Sequence, residues 1–207
     1  MTSASPEILD GASLLATPPR PRLAYVYLAG AQAPGAQLAE ASIRFADARG
    51  AELPGAVLDG ALLEHVDLIR ADLRGASLRG ATLRDCNLDA AALDRADLTD
   101  ARFLRCTLDD ASLRGALLAD ATTVGCSFAR ASFEGAREFA TCRDLVVEVL
   151  RRSVRDAEEL AIVGAVALDR RRCYDEWQSS LTPALLERAL EAFAAYPQSG
   201  VAESLRT

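Results

Sequence analysis

The sequence predicts a β-solenoid followed by a small α-helical segment. Three observations carry this reading. A small apolar residue recurs at every fifth position across residues 26–135, with a larger apolar residue two places on, through 22 uninterrupted pentads. Ten of the thirteen glycines fall at the last position of a pentad. From about Cys142 the five-residue frame gives way to helical spacing.

Residues 1–20 read as a lead-in, partly disordered. They lack the positive start and apolar stretch of a secretory signal. Leu14-Leu15-Ala16 is too short for one, and Pro18-Pro19-Arg20-Pro21 reads as a stiff extended approach.

Residues 21–140 form the solenoid. A period of five fits neither a helix nor a strand. It suits a chain that turns a corner every five residues and buries its apolar groups by stacking on neighbouring turns. Two inward residues per pentad, one small and one large, fill a narrow tube. The large position is Leu except at Ile43, Phe103, Phe128 and Phe133, and it lapses at Ala33, Ala48 and Thr123. Glycine tolerates the positive φ of a type II turn, which puts the corners at the pentad junctions. Cys86, Cys106 and Cys126 share the small position at intervals of twenty residues, and Val26 and Val66 lie in the same column. Four pentads per coil would stack them in successive layers about 4.8 Å apart. The frame fails at Glu138, where it would turn an acid inward.

The triplets Ala71-Asp72-Leu73, Cys86-Asn87-Leu88 and Ala96-Asp97-Leu98 carry the consensus Ala-(Asp/Asn)-Leu. On these the chain resembles the pentapeptide repeat family. The resemblance implies a right-handed quadrilateral parallel β-helix of about five and a half coils, a rod roughly 25 Å long at the strand spacing.

Residues 141–198 read as a helical cap or interaction segment, and 199–207 as a flexible tail. Leu145, Val146, Val149, Leu150 and Val154 share one helical face. Leu160, Val163, Gly164, Ala167 and Leu168 share another. Ser153 and Asp156 resemble a capping box between them. Thr182-Pro183 starts a further helix as N-cap and first residue, with Leu186, Leu190 and Phe193 on its face and Pro197 after its end. A helical turn around Cys173, Tyr174 and Trp177 lies between, and Tyr174 and Trp177 are its candidate anchors for a partner or a homodimer. The leading reading is that these helices cover the open solenoid end, whose strand edges invite aggregation, with Tyr174 and Trp177 in a small helical core; the partner or dimer surface is the alternative.

Composition narrows the function. The net charge is −7, which disfavours direct nucleic-acid binding. No apolar run reaches the length of a membrane span. Five cysteines without a signal read as reduced thiols in a cytoplasmic protein. Cys86, Cys106 and Cys126 read as small buried hydrophobes, with a redox ladder as the lesser reading. His65 is the single histidine and sits at a corner facing solvent. No base stands near a nucleophile, no phosphate loop is present, and no metal spacing occurs. The carboxylates lie on a regular outer surface, exposed and unpaired. An enzyme is not expected, nor a cofactor.

A twenty-residue coil sorts the outward residues onto four walls. The first carries Arg22, Arg44, Arg84, Arg102 and Arg105 against Glu64 and Asp85, net +3. The second carries Asp47, Asp67, Asp89, Asp109 and Asp110 against Arg49, Arg70 and Arg130, net −2. The third is net −1, and the fourth carries Glu40, Asp59, Asp97, Asp100 and Asp120 against Arg79, net −4. The acids of the second and fourth walls are the candidate partner surface. The leading expectation is a non-enzymatic protein-interaction scaffold with an unknown protein partner. The alternative comes from the resemblance: some family members resemble B-form DNA in size, shape and charge, bind DNA gyrase or topoisomerase IV, and protect it from quinolones or natural toxins. Here the basic first wall interrupts the negative field that such mimicry calls for.

Overall fold

The computed structural model describes residues 7–153, 183–194, 196–199 and 201. Where the sequence suggests only an extended lead-in, the chain opens with strand β1 (Glu7–Ile8) and the short helix α1 (Gly11–Leu15). The Asp10 carboxylate caps α1 by accepting from the Ser13 N–H at 2.8 Å. Leu14 of α1 is 1% exposed and plugs the first coil. The helix lies so close to the solenoid that a Cβ on Gly11 would overlap the carbonyl oxygen of Gln32.

The solenoid then begins with β2 (Arg22–Ala24) and β3 (Val26–Tyr27), the latter pairing with β1. Four strands follow at twenty-residue intervals: β4 (Ser42–Arg44), β5 (Leu62–Glu64), β6 (Thr82–Arg84) and β7 (Arg102–Leu104). The last is β8 (Thr122–Val124). These and β2 form one parallel six-stranded sheet in the order β2-β4-β5-β6-β7-β8. Leu23, Ile43, Leu63, Leu83, Phe103 and Thr123 stand in register along it. Single parallel bridges such as Gln32↔Glu52 and Gln37↔Val57 join the coils on the other walls. The predicted quadrilateral parallel β-solenoid is therefore what forms, and a coil takes twenty residues.

The tube is filled by the two inward positions. Ala81, Leu83, Ala91, Leu93 and Leu98 are each 0% exposed. Ala at the small position and Leu at the large one fill a square section with little space left. An enclosed apolar void of about 20 Å³ runs past Ile43, Ala48, Leu53 and Leu63. Ala48 lines it because it is one of the lapses at the large position.

The corners are more demanding than the glycines alone imply. Every fifth residue from Arg20 to Gly135 has a positive φ, between 51° and 70°. Ten of these corners are glycine and fourteen are not. An L-residue in this left-handed region costs about 1–2 kcal/mol. The stack of coils must over-determine each corner to hold it. At three corners of each coil the N–H after the corner bonds back to the carbonyl three residues earlier, as from Ala31 to Leu28 at 2.9 Å. The fourth corner follows the sheet strands, and Cys86, Cys106 and Cys126 come directly after it.

The last coil departs from the frame in an instructive way. Glu138 does not face inward, as strict extrapolation has it. The chain takes its final corner early, at Glu138 with φ 55°, so the acid is exposed and Phe139 is buried in its place. The Glu138 N–H then donates to Gln198 O at 2.6 Å and the Ala140 N–H to Ser199 O at 3.1 Å.

Helix α2 (Arg143–Ser153) covers the open end and packs on β8 and on α3 (Pro183–Ala194). Leu145, Val146 and Val149 of α2 are buried, as their spacing predicts, and Phe193 of α3 is buried too. Thr123 explains another lapse: its buried hydroxyl accepts from the Asp144 N–H at 3.0 Å, which Leu cannot do. Arg152 reaches back over the last coil and donates to Ala131 O at 2.8 Å and Phe128 O at 3.0 Å, with its guanidinium 4.7 Å from the centre of the Phe133 ring. Ser153 ends α2; Asp156, Val154, the helix expected over Leu160–Leu168, and Tyr174 and Trp177 lie outside the described residues.

Candidate partner surface

The solenoid places residues 2, 4 and 5 of each pentad outward, so the surface is a set of columns with one residue per coil. The acidic columns are not the exposed, unpaired rows that the sequence implies. Most of their carboxylates are engaged by the fold itself.

Two local patterns explain this. An acid at the second position accepts the N–H two residues on, closing an Asx turn over the corner. Asp47 accepts from the Arg49 N–H at 3.2 Å, Asp67 from Ile69 at 3.1 Å and Asp97 from Thr99 at 3.0 Å. An acid at the fourth position accepts from the next coil. Asp59 accepts from the Ser77 hydroxyl and from the Arg79 N–H at 3.1 Å, Asp89 from the Asp109 N–H at 3.0 Å, and Asp109 from the Ser127 hydroxyl and from the Ala129 N–H at 2.9 Å. Arginines engage others. Arg49 bonds Asp47 at 2.6 Å, Arg79 bonds Asp97 at 2.9 Å, and Arg130 bonds Asp110 at 2.6 Å.

These partners show in the acidities. The hydrogen bond from Arg49 holds the Asp47 carboxyl below the usual range, and Arg130 does the same for Asp110. Burial opposes the shift at Asp97, but the Thr99 hydrogen bonds and Arg79 still pull it down. Among the described residues only Asp100 and Asp120, of the nine candidate aspartates, have carboxylates with no partner. They stand one coil apart at exposed corners, φ 58° and 54°.

The first wall holds a feature that the sequence reading passed over. Tyr25, Phe45 and His65 occupy one corner column and stack ring on ring. The Tyr25–Phe45 centroids are 5.1 Å apart with planes 9° from parallel, and the Phe45–His65 centroids 5.0 Å apart at 8°. Tyr25 is 62% exposed and Phe45 48%. The twenty-residue spacing that revealed the cysteine column was the signal for this one as well. The column continues as Asp85 and Arg105, joined at 2.6 Å. Beside it Glu64 accepts from both Arg44 at 3.0 Å and Arg84 at 3.2 Å. Arg22 and Arg102 are exposed and have no acid partner among the described residues.

The cysteine column is structural in its bonding. The Cys86, Cys106 and Cys126 thiols donate to the carbonyls of Leu63, Leu83 and Phe103 at 3.5, 3.4 and 3.4 Å. A hydrogen bond with Cys126 favours the Cys106 thiolate, but that with Cys86 and burial together push the Cys106 thiol up to about 12. Burial likewise pushes the Cys142 thiol up. Among the described residues no group of three His, Cys, Asp or Glu gathers to hold a metal, and no helix is long and apolar enough to cross a membrane.

The five-residue repeat has known relatives. A profile described as pentapeptide repeats matches in eight copies over residues 22–60, 53–85 and 76–115. A solved pentapeptide repeat protein from the Arabidopsis thaliana thylakoid lumen is 30% identical, covering 48% of this chain and 71% of its own, with a TM-score of 0.45. One from the cyanobacterium Cyanothece is 29% identical, covering 46% and 58%, TM-score 0.29. QnrB1, a plasmid-mediated fluoroquinolone resistance protein, is 19% identical in one structure, covering 66% and 73%, TM-score 0.35. No curated protein matches.

Proposed function

Because the chain belongs to the pentapeptide repeat family, we propose that it is a non-enzymatic protein-interaction scaffold. One observation carries this: the inward positions alone build the core, and the outward ones ride on it in fixed columns. A partner meets a stiff wall whose side chains vary without disturbing the fold. Binding such a wall needs no cleft, and among the described residues no acid, base and nucleophile converge. The free thiols of Cys86, Cys106, Cys126 and Cys142 support a reducing compartment such as the cytoplasm. The test is affinity capture from the native host with the full chain. A single stoichiometric protein partner, lost on changing one wall, is expected. Retention of small-molecule turnover by the purified chain would overturn the reading.

The second reading, a DNA mimic that binds gyrase or topoisomerase IV, is favoured by acids that repeat in columns. Asp47 bridges to Asp67, and Asp89 lies one coil from Asp109. Engagement of these carboxylates and the basic first wall weigh against it. A supercoiling assay with purified gyrase, with and without quinolone, decides: no effect at micromolar protein removes the mimic. A homodimer through Tyr174 and Trp177 is tested by light scattering of the full chain against Trp177→Ala.

A further inference from the structure

We propose that the corner formed by Tyr25, Phe45 and His65, with Arg22 and Arg44 beside it, docks an extended acidic protein segment that carries an apolar anchor. The proposal rests on the scaffold reading and assigns that scaffold a surface and a partner chemistry.

The first observation is what the corners carry. Tyr25 and Phe45 share the positive φ of every corner, at 57° and 51°. Glycine fills ten of the equivalent corners, so the fold does not require an aromatic there. The other non-glycine corners carry charged or small side chains or His65, and Tyr25 and Phe45 place exposed apolar rings there. Stacking of one ring on the next accounts for their mutual geometry. It does not account for apolar edges left in water.

The second observation is continuity. Tyr27 is 41% exposed and Ile8 is 77% exposed, and Ile8 pairs with Tyr27 across β1 and β3. Tyr27 lies two residues from Tyr25. Ile8, Tyr27, Tyr25 and Phe45 therefore extend one apolar edge along the first coils, a patch of the kind that marks partner surfaces.

Charge selects the occupant. The adjoining wall is net positive on a chain of net charge −7. Its Glu64 is shared between Arg44 and Arg84, so one acid answers two guanidiniums. Arg22 has no acid partner among the described residues. A carboxylate-rich segment finds unmatched guanidiniums there, and its apolar residue finds the ring edges. Single-stranded nucleic acid fits less well. The flat faces of Phe45 are taken by Tyr25 and His65, so a base cannot stack on this ring.

The experiment is selection of short random peptides displayed on phage against the full chain, then fluorescence anisotropy of the winning synthetic peptide. Enriched peptides should cluster Asp and Glu around a Phe, Leu, Tyr or Trp. Tyr25→Gly with Phe45→Gly removes the rings and suits the positive φ, so the fold is kept. This pair should weaken binding about tenfold or more. Arg22→Ala with Arg44→Ala should weaken it by about threefold and flatten its salt dependence. Peptides that are basic, or that bind the glycine variant unchanged, overturn the proposal. If binding is lost with Asp100→Asn and Asp120→Asn instead, this surface fails while the scaffold reading stands. Oligo-dT that binds through Phe45 overturns the protein partner. So does a wild-type dimer that Phe45→Gly dissociates, since the corner is then covered by a second copy.

Discussion

The carboxylate of Asp144 accepts the backbone N–H of Cys126 at 2.8 Å. This bond ends a column. Below it the Cys86, Cys106 and Cys126 thiols each donate to a carbonyl of the preceding coil, those of Leu63, Leu83 and Phe103. The first turn of α2 thus meets the last cysteine's N–H with a side chain and closes the column. Arg152 at the other end of α2 does the same for two carbonyls, so the cap answers donors with an acid and acceptors with a base.

Asp144→Ala is expected to cost about 1–3 kcal/mol, because it leaves a half-buried N–H without its partner. Asp144→Asn keeps an acceptor oxygen and should lose less. Arg152→Ala should also destabilise, through the Ala131 and Phe128 carbonyls and the Phe133 ring. Chemical denaturation of the three variants checks the order. Equal stability of Asp144→Ala and wild type would show that the cap bond is idle.

The corners give a sharper test of backbone strain. Gly75 has φ 64°, and an added Cβ would meet nothing within 4 Å. Gly75→Ala therefore isolates strain from clash and should cost about 1 kcal/mol. Ala90, φ 57°, is the mirror case. Ala90→Gly relieves the strain but adds about 0.5–1 kcal/mol of unfolded-chain entropy, for a net change from neutral to slightly stabilising. Thermal melts resolve the pair, since 1 kcal/mol is worth about 2–4 °C in a chain of this size.

Legibility in the sequence followed how repetitive each feature is. The coil length was readable from Cys86, Cys106 and Cys126 because a column repeats one environment. The same logic reaches Tyr25, Phe45 and His65, but a corner facing water imposes no uniform chemistry, so the residues differ and the column is easy to miss. The engagement of Asp47, Asp59 and Asp109 was not readable. It depends on N–H groups whose direction is set by the corner, not by residue type. Thr123 and Glu138 broke the frame for reasons that lie far along the chain, in Asp144 and Gln198. One-off contacts of that kind leave no periodic trace.

Acid should destabilise the chain through its paired aspartates. Hydrogen bonds from Arg49, Arg105 and Arg130 hold Asp47, Asp85 and Asp110 below the usual carboxyl range. A folded-state value below the unfolded one contributes stability that is complete above the unfolded value, about 3.9 for Asp, and is lost as pH falls through the folded value. The melting temperature should thus hold near neutrality and fall below about pH 4. Arg105→Ala frees Asp85 and should shrink that fall while lowering the neutral plateau slightly. These pairs are exposed, so the plateau change is small. An acid limb unchanged by Arg105→Ala would assign it to other groups.

Thiol reactivity separates the structural from the redox reading of the cysteine column. Cys86 and Cys106 are 2% and 1% exposed, and Cys142 is 0%. The hydrogen bond with Cys86 and burial hold Cys106 as a thiol, and burial holds Cys142 as one; the hydrogen bond with Cys106 lowers Cys86, whose silence therefore rests on its burial, since the thiolate is the reactive form. Titration with a thiol reagent should find these cysteines silent in the native chain and reactive after denaturation. Cys86→Ala tests the bonding directly. It should keep the fold at a modest cost, since Ala fills the small position of most pentads and Ala46 fills it in this same column. Fast native labelling of Cys106 would remove the structural account and return the column to redox chemistry.

At the opposite end, Gly11 should be the residue that the N-terminal cap cannot change. A Cβ there would overlap the Gln32 carbonyl oxygen, which is backbone and held by the coil. Helix α1 has only one turn and a single buried anchor, Leu14. It has little binding energy with which to absorb a shift. Gly11→Ala should therefore lift α1 and uncover Leu28 and Leu38 beside Leu14, at the end of the solenoid where β2 is an edge strand. Apolar surface next to unpaired strand edges associates end to end. Light scattering should show concentration-dependent growth for Gly11→Ala, with a lower melting temperature, and neither for Gly75→Ala. A monomeric Gly11→Ala with an unchanged melt would mean that the solenoid start is protected by something other than α1.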